Sequence, residues 1–425
     1  MQLARIINKI SSIPNRRIVV FAFIIFLGST LSGCNFLNKP FSLFDSQEKQ
    51  DSVALKKEAD PRESGESRGE SSSSQLVAEL TLRNSKVLYD NRIQPKQVWP
   101  VLGSVNSEVA SIAKLLLADG LGQLYFLDSQ EELHLIDQPK RAKFAISEDF
   151  NLLAVCDGSK VAIFNLGELL ASTLKKRSLE PQYTLDRLTV EVLTPKFDAD
   201  ASNLFFSGSD GRVYRWRFKF EKEVSESAIF ERGKSLEIYI GSTTIISAIE
   251  SHPNNRVVAA ADWGGKINFW LLYDQDRFFG KFDPSVFGPN FFADDTARRQ
   301  VSSVQPFRIN NMIFSPDGLS LVTASDIGLI EFFQIRGLAP VANLAAHKGV
   351  IRALAANKDF SQFATCGRDG WLRIWKIQNS LKQAGAKEFH LVQEKSIPQC
   401  YALNFLPDGD LLLGQSGELG ILDIN

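Results

Sequence analysis

The side chains that carry catalysis or metal binding are sparse and scattered in this chain. Its four histidines are His134, His252, His347 and His390, and no two stand at the spacing of a ligand pair or a nucleophile–base dyad. Functional sites are marked by clusters of perturbed groups, so isolated imidazoles read as structural or solvated. The four cysteines, Cys34, Cys156, Cys366 and Cys400, are too few for a disulfide framework and too widely spaced for zinc. Cys156 and Cys366 fall in apolar strands and read as buried free thiols. Cys400 could approach Cys366, but free thiols are the favoured reading, because a bridge requires Cα atoms within roughly 7 Å. The glycines belong to hairpin turns, and no Gly-rich loop opens a helix to cradle phosphate. The expectation is therefore no metal, no cofactor and no enzymatic constellation.

Cys34 alone has a chemical context. A basic head with Arg5, Lys9, Arg16 and Arg17 precedes the apolar stretch from Ile18 to Leu27, then small residues and Leu31-Ser-Gly-Cys34. That order is the pattern of a secretory signal peptide, residues 1–33. An uncleaved anchor helix is the alternative, but the apolar run is about 16 residues against the roughly 20 that span hydrocarbon. Leu-Ser-Gly-Cys resembles a bacterial lipobox. The resemblance implies that Cys34 becomes the first mature residue and is acylated, palmitate-type chains contributing about 0.8 kcal/mol per buried CH₂. It further implies a lipid-anchored protein of the cell envelope. Asn35 after the cysteine favours the outer membrane in a diderm host, facing the periplasm or the cell surface.

Residues 34–75 change to a charged, Ser-rich composition ending in Ser71-Ser-Ser-Ser74. So little apolar content cannot offset ordering entropy, and the segment reads as a disordered tether. The short apolar patch with Phe36, Leu37, Phe41, Leu43 and Phe44 reads as a remnant beside the anchor. Without the leader's four cations, 48 basic residues fall to 44 against 49 acidic ones. A mildly acidic body lacking a clustered basic face argues against nucleic acid.

The remaining chain, 76–425, is built on one repeated hairpin: an apolar strand, a tight Gly/Asp/Ser turn, and an alternating strand closing on a large apolar residue. The seven closing residues are Leu127, Phe164, Trp216, Trp270, Phe333, Trp375 and Leu422, spaced 37 to 63 residues apart. A strand-only repeat of about 49 residues, close to the 40–45 of a four-stranded blade, specifies a β-propeller. Upstream turns such as Phe314-Ser-Pro-Asp-Gly318 and Phe405-Leu-Pro-Asp-Gly409 mark the bend between the two inner strands of a blade, since proline presets the first turn position. Blade seven lacks an outer strand, and Val77-Ala-Glu-Leu-Thr-Leu82 has the alternation to supply it, removing an open edge.

These hairpins resemble the WD-repeat family, which implies an all-β, seven-bladed propeller. Blade six matches best, and the family's structural hydrogen-bond tetrad maps onto His347, Thr365, Asp369 and Trp375. Blade five departs from it at Phe333 and Ile327, and blade four has Gly264 at the turn aspartate. Blades one, two and seven close on Leu127, Phe164 and Leu422, leaving the register of the first two open.

The resemblance also implies protein binding on the face where second and third strands turn. Trp263, Asp210, Arg212, Lys160, Asp326 and Arg368 fall there, with Lys348 beside the tetrad histidine. Trp263 and Arg368 stand out because interface hot spots are enriched in these types, while Trp371 reads as packed. The stretch 273–306, with Phe278, Phe279, Phe282, Phe287, Phe291 and Phe292, must contain the outer strand of blade four. Its remainder either packs on the rim, the favoured reading, or docks a partner.

The functional expectation is a non-enzymatic, membrane-tethered scaffold or envelope assembly factor, monomeric or within a hetero-complex. The alternative is a lactonase-like or quinoprotein-like enzyme with its site in the central channel. That requires acids or histidines converging from several first strands, and strands such as Ile309–Phe314 and Ile351–Ala355 offer little beyond asparagine and Arg352.

Overall fold

Each repeat folds into a four-stranded antiparallel sheet, and seven such sheets follow one another along the chain. The computed structural model describes residues 81–87, 93–101, 105–219, 235–242, 244–272, 298–303, 307–337, 339–379 and 387–424. All of these belong to one compact unit, Ser74–Asn425. The leader 1–33, Cys34 and the tether lie outside the described residues.

Blade one contains β2 (Pro95–Pro100), β3 (Ala113–Asp119), β4 (Leu124–Asp128) and β5 (Leu133–Ile136). Blade two contains β6 (Lys143–Ile146), β7 (Leu152–Asp157), β8 (Lys160–Asn165) and β9 (Tyr183–Leu185). Blade three runs through β10 (Lys196–Phe197), β11 (Leu204–Ser207), β12 (Val213–Trp216) and β13 (Leu236–Tyr239). Blade four has β14 (Ile246–Ser251), β15 (Val257–Asp262), β16 (Lys266–Leu271) and β17 (Arg298–Ser302). Blade five has β18 (Ile309–Phe314), β19 (Ser320–Ser325), β20 (Leu329–Gln334) and β21 (Ala339–Ala345). Blade six comprises β22 (Ile351–Ala356), β23 (Gln362–Gly367), β24 (Trp371–Asn379) and β25 (Lys387–Ser396). Blade seven joins β26 (Cys400–Phe405), β27 (Leu411–Gln415) and β28 (Glu418–Asp423) to β1 (Thr81–Val87).

The ring therefore closes with a strand from the other end of the chain, Leu82 opposite Leu422 and Val87 opposite Glu418. The expected segment started earlier, at Val77. Described pairing begins at Thr81 and runs to Val87, with a register irregularity between Arg83 and Lys86, and residues 77–80 lie outside the described residues. In blades one and two the closing residues pair as Leu115 with Leu127 and Leu153 with Phe164, which settles the register left open above.

The core lies between the blades. Second strands such as Val257–Asp262 are buried at every position, because both faces of a blade pack against a neighbour and an unbroken apolar run results. Each junction holds its own cluster: Leu153 and Phe126 between blades one and two, Phe206 and Ile163 between two and three, Val258 and Phe205 between three and four. Phe333 and Phe269 fill the next, then Trp375 and Val322, Leu413 and Cys366, and Leu117 with Leu419 at the closing junction. Innermost strands touch in succession from β6 through β10, β14, β18, β22 and β26 to β2, so they surround a common axis. At the junction of blades one and two, two helices add to the packing. The first, α1 (Ser107–Ile112), is capped by Asn106, whose side chain accepts the Val109 N–H at 3.0 Å. The second, α2 (Leu166–Leu174), is capped by Asn165 and buries Leu166, Leu169 and Leu170. Of the aromatic stretch 273–306, Arg298–Ser302 forms β17; residues 273–297, with all six phenylalanines, lie outside the described residues.

Candidate functional site

The turn between second and third strands folds back onto the segment entering the innermost strand of its own blade. The same backbone bond recurs: Trp263 N–H to Ile245 carbonyl at 3.0 Å, Asp326 to Arg308 at 3.0 Å, Arg368 to Val350 at 2.8 Å. Trp263, Asp326 and Arg368 are therefore equivalent residues of blades four, five and six on one face. The outgoing segment docks on the same turn, with the Ser303 N–H on the Gly265 carbonyl at 2.8 Å and Ile397 on Gly370 at 2.7 Å. The links leaving blades four and six thus land on this face as well.

Trp263 keeps 48% of its surface exposed, and the Arg308 guanidinium lies 5.0 Å from its ring centroid. Arg368 and Lys348 are exposed and Asp326 is half-buried. On blade three, Asp210 accepts the Tyr214 hydroxyl at 2.8 Å and pairs with Arg212 at 3.6 Å. Lys160 opens β8 and is exposed on blade two. The sequence reading missed Phe307, 42% exposed, and Ile240, 64% exposed, together with Arg308 and the stack of Arg352 on Tyr401 at 4.6 Å. All belong to links between blades or to first-strand entrances, and those segments share the turn face by topology. Trp371 is half-buried, 5.6 Å from the Arg373 guanidinium.

Beneath this face the blade-six network joins His347, Thr365, Asp369 and Trp375. Trp375 Nε1 donates to Thr365 Oγ1 at 2.9 Å, and Thr365 Oγ1 stands 2.8 Å from His347 Nε2. With the threonine proton spent on Nε2, the neutral imidazole carries its own proton on Nδ1 and donates to Asp369 Oδ1 at 2.9 Å. Arg373 extends the chain, donating to Asp369 Oδ2 at 3.1 Å, to the Ala346 carbonyl at 2.9 Å and to Glu394 at 3.1 Å. Burial pushes the His347 pKa down, against the pull of Asp369. Burial would raise Asp369, yet the His347 bond and the Lys348 backbone N–H outweigh it and hold its pKa at about 2. Gly367 is obligatory here, because a β-carbon would sit 2.3 Å from His347 Nδ1. The geometry satisfies buried polar groups and leaves no reactive atom aimed at a ligand.

Blade three shows what the hydroxyl supplies. Trp216 is fully buried but its Nε1 has no hydrogen-bond partner. Its strand mate Leu204 corresponds to Phe363, so the place of Thr365 is held by Phe206.

The other titratable groups serve structure. His252, expected in a turn, is 1% exposed and clasps blade five, its Nε2 lying 3.0 Å from the Gly318 carbonyl. Gly318 has φ +71, and a β-carbon there would fall 2.3 Å from that imidazole. His390 is exposed near Glu388. His134 stacks on Phe126 at 4.9 Å and meets Asp128 at 2.9 Å. With Glu132 these two place potential metal-ligand atoms within 4.8 Å of one another. Yet Asp128 also accepts the Gln130 and Glu132 backbone N–H groups, so the trio closes its own hairpin turn.

Sequence reasoning found little charge on the innermost strands, but Lys196 of β10 and Glu250 of β14 form an ion pair of 2.9 Å across blades three and four. Burial raises the Glu250 pKa, whereas for Lys196 the carboxylate outweighs burial and raises the ammonium. Each neutralises the other. Cys156, Cys366 and Cys400 are buried free thiols, and Cys400 lies against Cys366.

Fold and turn face together define a seven-bladed propeller of the WD40 type. The family described as WD domain, G-beta repeat, matches residues 233–270 and 338–376, stretches that contain Trp270 and the whole blade-six network. The chain is 23% identical over 195 residues to pre-mRNA-processing factor 19 homolog 2 of Arabidopsis thaliana, covering 46% of this chain and 32% of that protein. It is likewise 23% identical over 190 residues to WD repeat-containing protein 70 of Mus musculus, covering 43% of this chain and 28% of that protein. The matched region thus spans about a third of these relatives. Among solved structures, the WD40 β-propeller domain of Doa1 aligns with TM-score 0.55 and 14% identity over 81% of this chain and 97% of that one. U3-55K aligns with TM-score 0.57 and 14% identity, over 80% and 98%.

Proposed function

We propose that this chain is a non-enzymatic interaction scaffold or envelope assembly factor, held at a membrane through Cys34 and binding other proteins on its turn face. The observation that carries the binding half is Trp263, a large aromatic left 48% exposed on the turn face, since such side chains dominate interface energies. WD40 propellers typically serve as protein-interaction scaffolds, which supports the same reading. Trp263, Arg368, Asp210, Arg212, Lys160, Asp326 and Lys348 are the contact residues assigned on this reading. Support for the tether comes from the leader and the Leu31-Ser-Gly-Cys34 ending.

Two measurements test it. Labelling cells with an alkyne analogue of palmitate should mark the wild-type chain and leave Cys34→Ser unmarked; equal labelling removes the anchor assignment. In-cell crosslinking should recover a reproducible protein partner that is lost in Trp263→Ala. Recovery of the chain alone, or an unchanged partner set, removes the turn-face assignment.

A further inference from the structure

We propose that the turn-face sector of blades four to seven takes an acidic protein segment that inserts one aromatic or large aliphatic side chain. This deepens the scaffold reading and rests on it.

The apolar half of the site surrounds the blade-four turn. Ile240, Trp263 and Phe307 are 64%, 48% and 42% exposed. Ile240 precedes Ser242, whose hydroxyl donates to Asp262 at 2.7 Å beside Trp263. Phe307 adjoins Arg308, the residue stacked on the Trp263 ring. Exposed apolar side chains scattered singly are ordinary, but three gathered at one turn form a patch.

The charged half follows from which carboxylates are already engaged. Asp262 accepts the Gly264 and Lys266 backbone N–H groups as well as Ser242, and Asp369 is held by His347 and Arg373. Arg308, Lys348 and Arg368 have no ion pair with any described residue; against them and Arg352 stand two further turn carboxylates, half-buried Asp326 and Glu418, so this sector carries an excess of cations. Blade three differs, because Asp210 there neutralises Arg212. Arg308 and Arg352 each lie over a ring. A stacked guanidinium is preorganised by its π contact while its in-plane N–H edges remain available to a carboxylate.

The probes are fluorescein-labelled peptides of 12 residues, all glutamate but for one central phenylalanine, read by anisotropy against the full-length chain. Controls replace the glutamates by lysine or the phenylalanine by alanine. The acidic phenylalanine peptide should bind at least about tenfold more tightly than either control, and Trp263→Ala and Arg308→Glu should each remove about that factor. Lys358→Glu, on the opposite face, should leave binding unchanged, and Arg308→Gln serves if the charge reversal prevents folding. Equal binding of the lysine peptide, or binding indifferent to Trp263 and Arg308, overturns the proposal. So does sedimentation with phosphatidylglycerol vesicles over phosphatidylcholine vesicles that Arg308→Glu abolishes, which would make an anionic lipid surface the occupant. If the peptides fail while Trp263→Ala still removes a crosslinked partner in cells, the segment's chemistry is wrong and the scaffold reading stands.

Discussion

Replacing Thr365 by valine preserves shape and deletes one hydroxyl on which two buried rings depend. That oxygen accepts from Trp375 Nε1 at 2.9 Å and stands 2.8 Å from His347 Nε2. Thr365 is 0% exposed, and His347 and Trp375 are each 6% exposed, so water cannot substitute. A buried polar group left unsatisfied costs about 1–3 kcal/mol, and two of them place the loss at about 2–6 kcal/mol. Thr365→Ser keeps the hydroxyl and loses one methyl, a change of about 1 kcal/mol. Guanidinium unfolding followed by tryptophan fluorescence, with slopes compared between variants, reads both losses. Unfolding free energies for valine and wild type that agree within about 0.5 kcal/mol would refute the reasoning, as would a serine variant as damaged as the valine one.

Trp216→Phe should cost less than Trp375→Phe in the same assay, because the first removes a donor that already lacks a partner while the second breaks a bond to Thr365; equal losses would count against the role given to the hydroxyl. Folding holds His347 and His252 neutral against ordinary values of 6.5, so the unfolded chain takes up more protons below that value. The unfolding midpoint should therefore fall as pH drops from 7.5 to 5.5, and fall again between 3.8 and about 2 as Asp369 is protonated; a flat profile over the first interval contradicts the histidine assignment. Gly318→Ala should lower the melting temperature through its left-handed turn and the clash with His252, whereas Gly337→Ala, which meets nothing within 4 Å, should not.

The blades were legible because turn chemistry is local: proline before Asp-Gly in Ser315–Gly318 announces a bend wherever the strands go. The interactions between blades were not, since they join residues that no short pattern relates. Lys196 and Glu250 meet across two repeats, and His252 finds its acceptor in the next blade's turn. Arg215, 1% exposed and donating to Asn203 at 2.9 Å, reads in sequence as an ordinary alternating strand position. The α2 helix was hidden because its cap, Asn165, is also the last residue of β8, leaving no loop to separate the two periodicities. On the turn face, Trp263 and Arg368 were visible by residue type, but Arg308 and Phe307 needed the knowledge that links and turns share a side.

The pairing of Thr81 with Asp423 also sets an order of events. Closing so long a loop costs little more at equilibrium than closing a short one, about 0.6 kcal/mol per doubling. In time it must come last: a nascent chain can assemble the middle blades as they emerge, but the final wedge keeps a raw edge until the whole polypeptide has been made. Until then that edge is open to a neighbouring copy, so crowded synthesis should favour intermolecular strand exchange at this seam over any other.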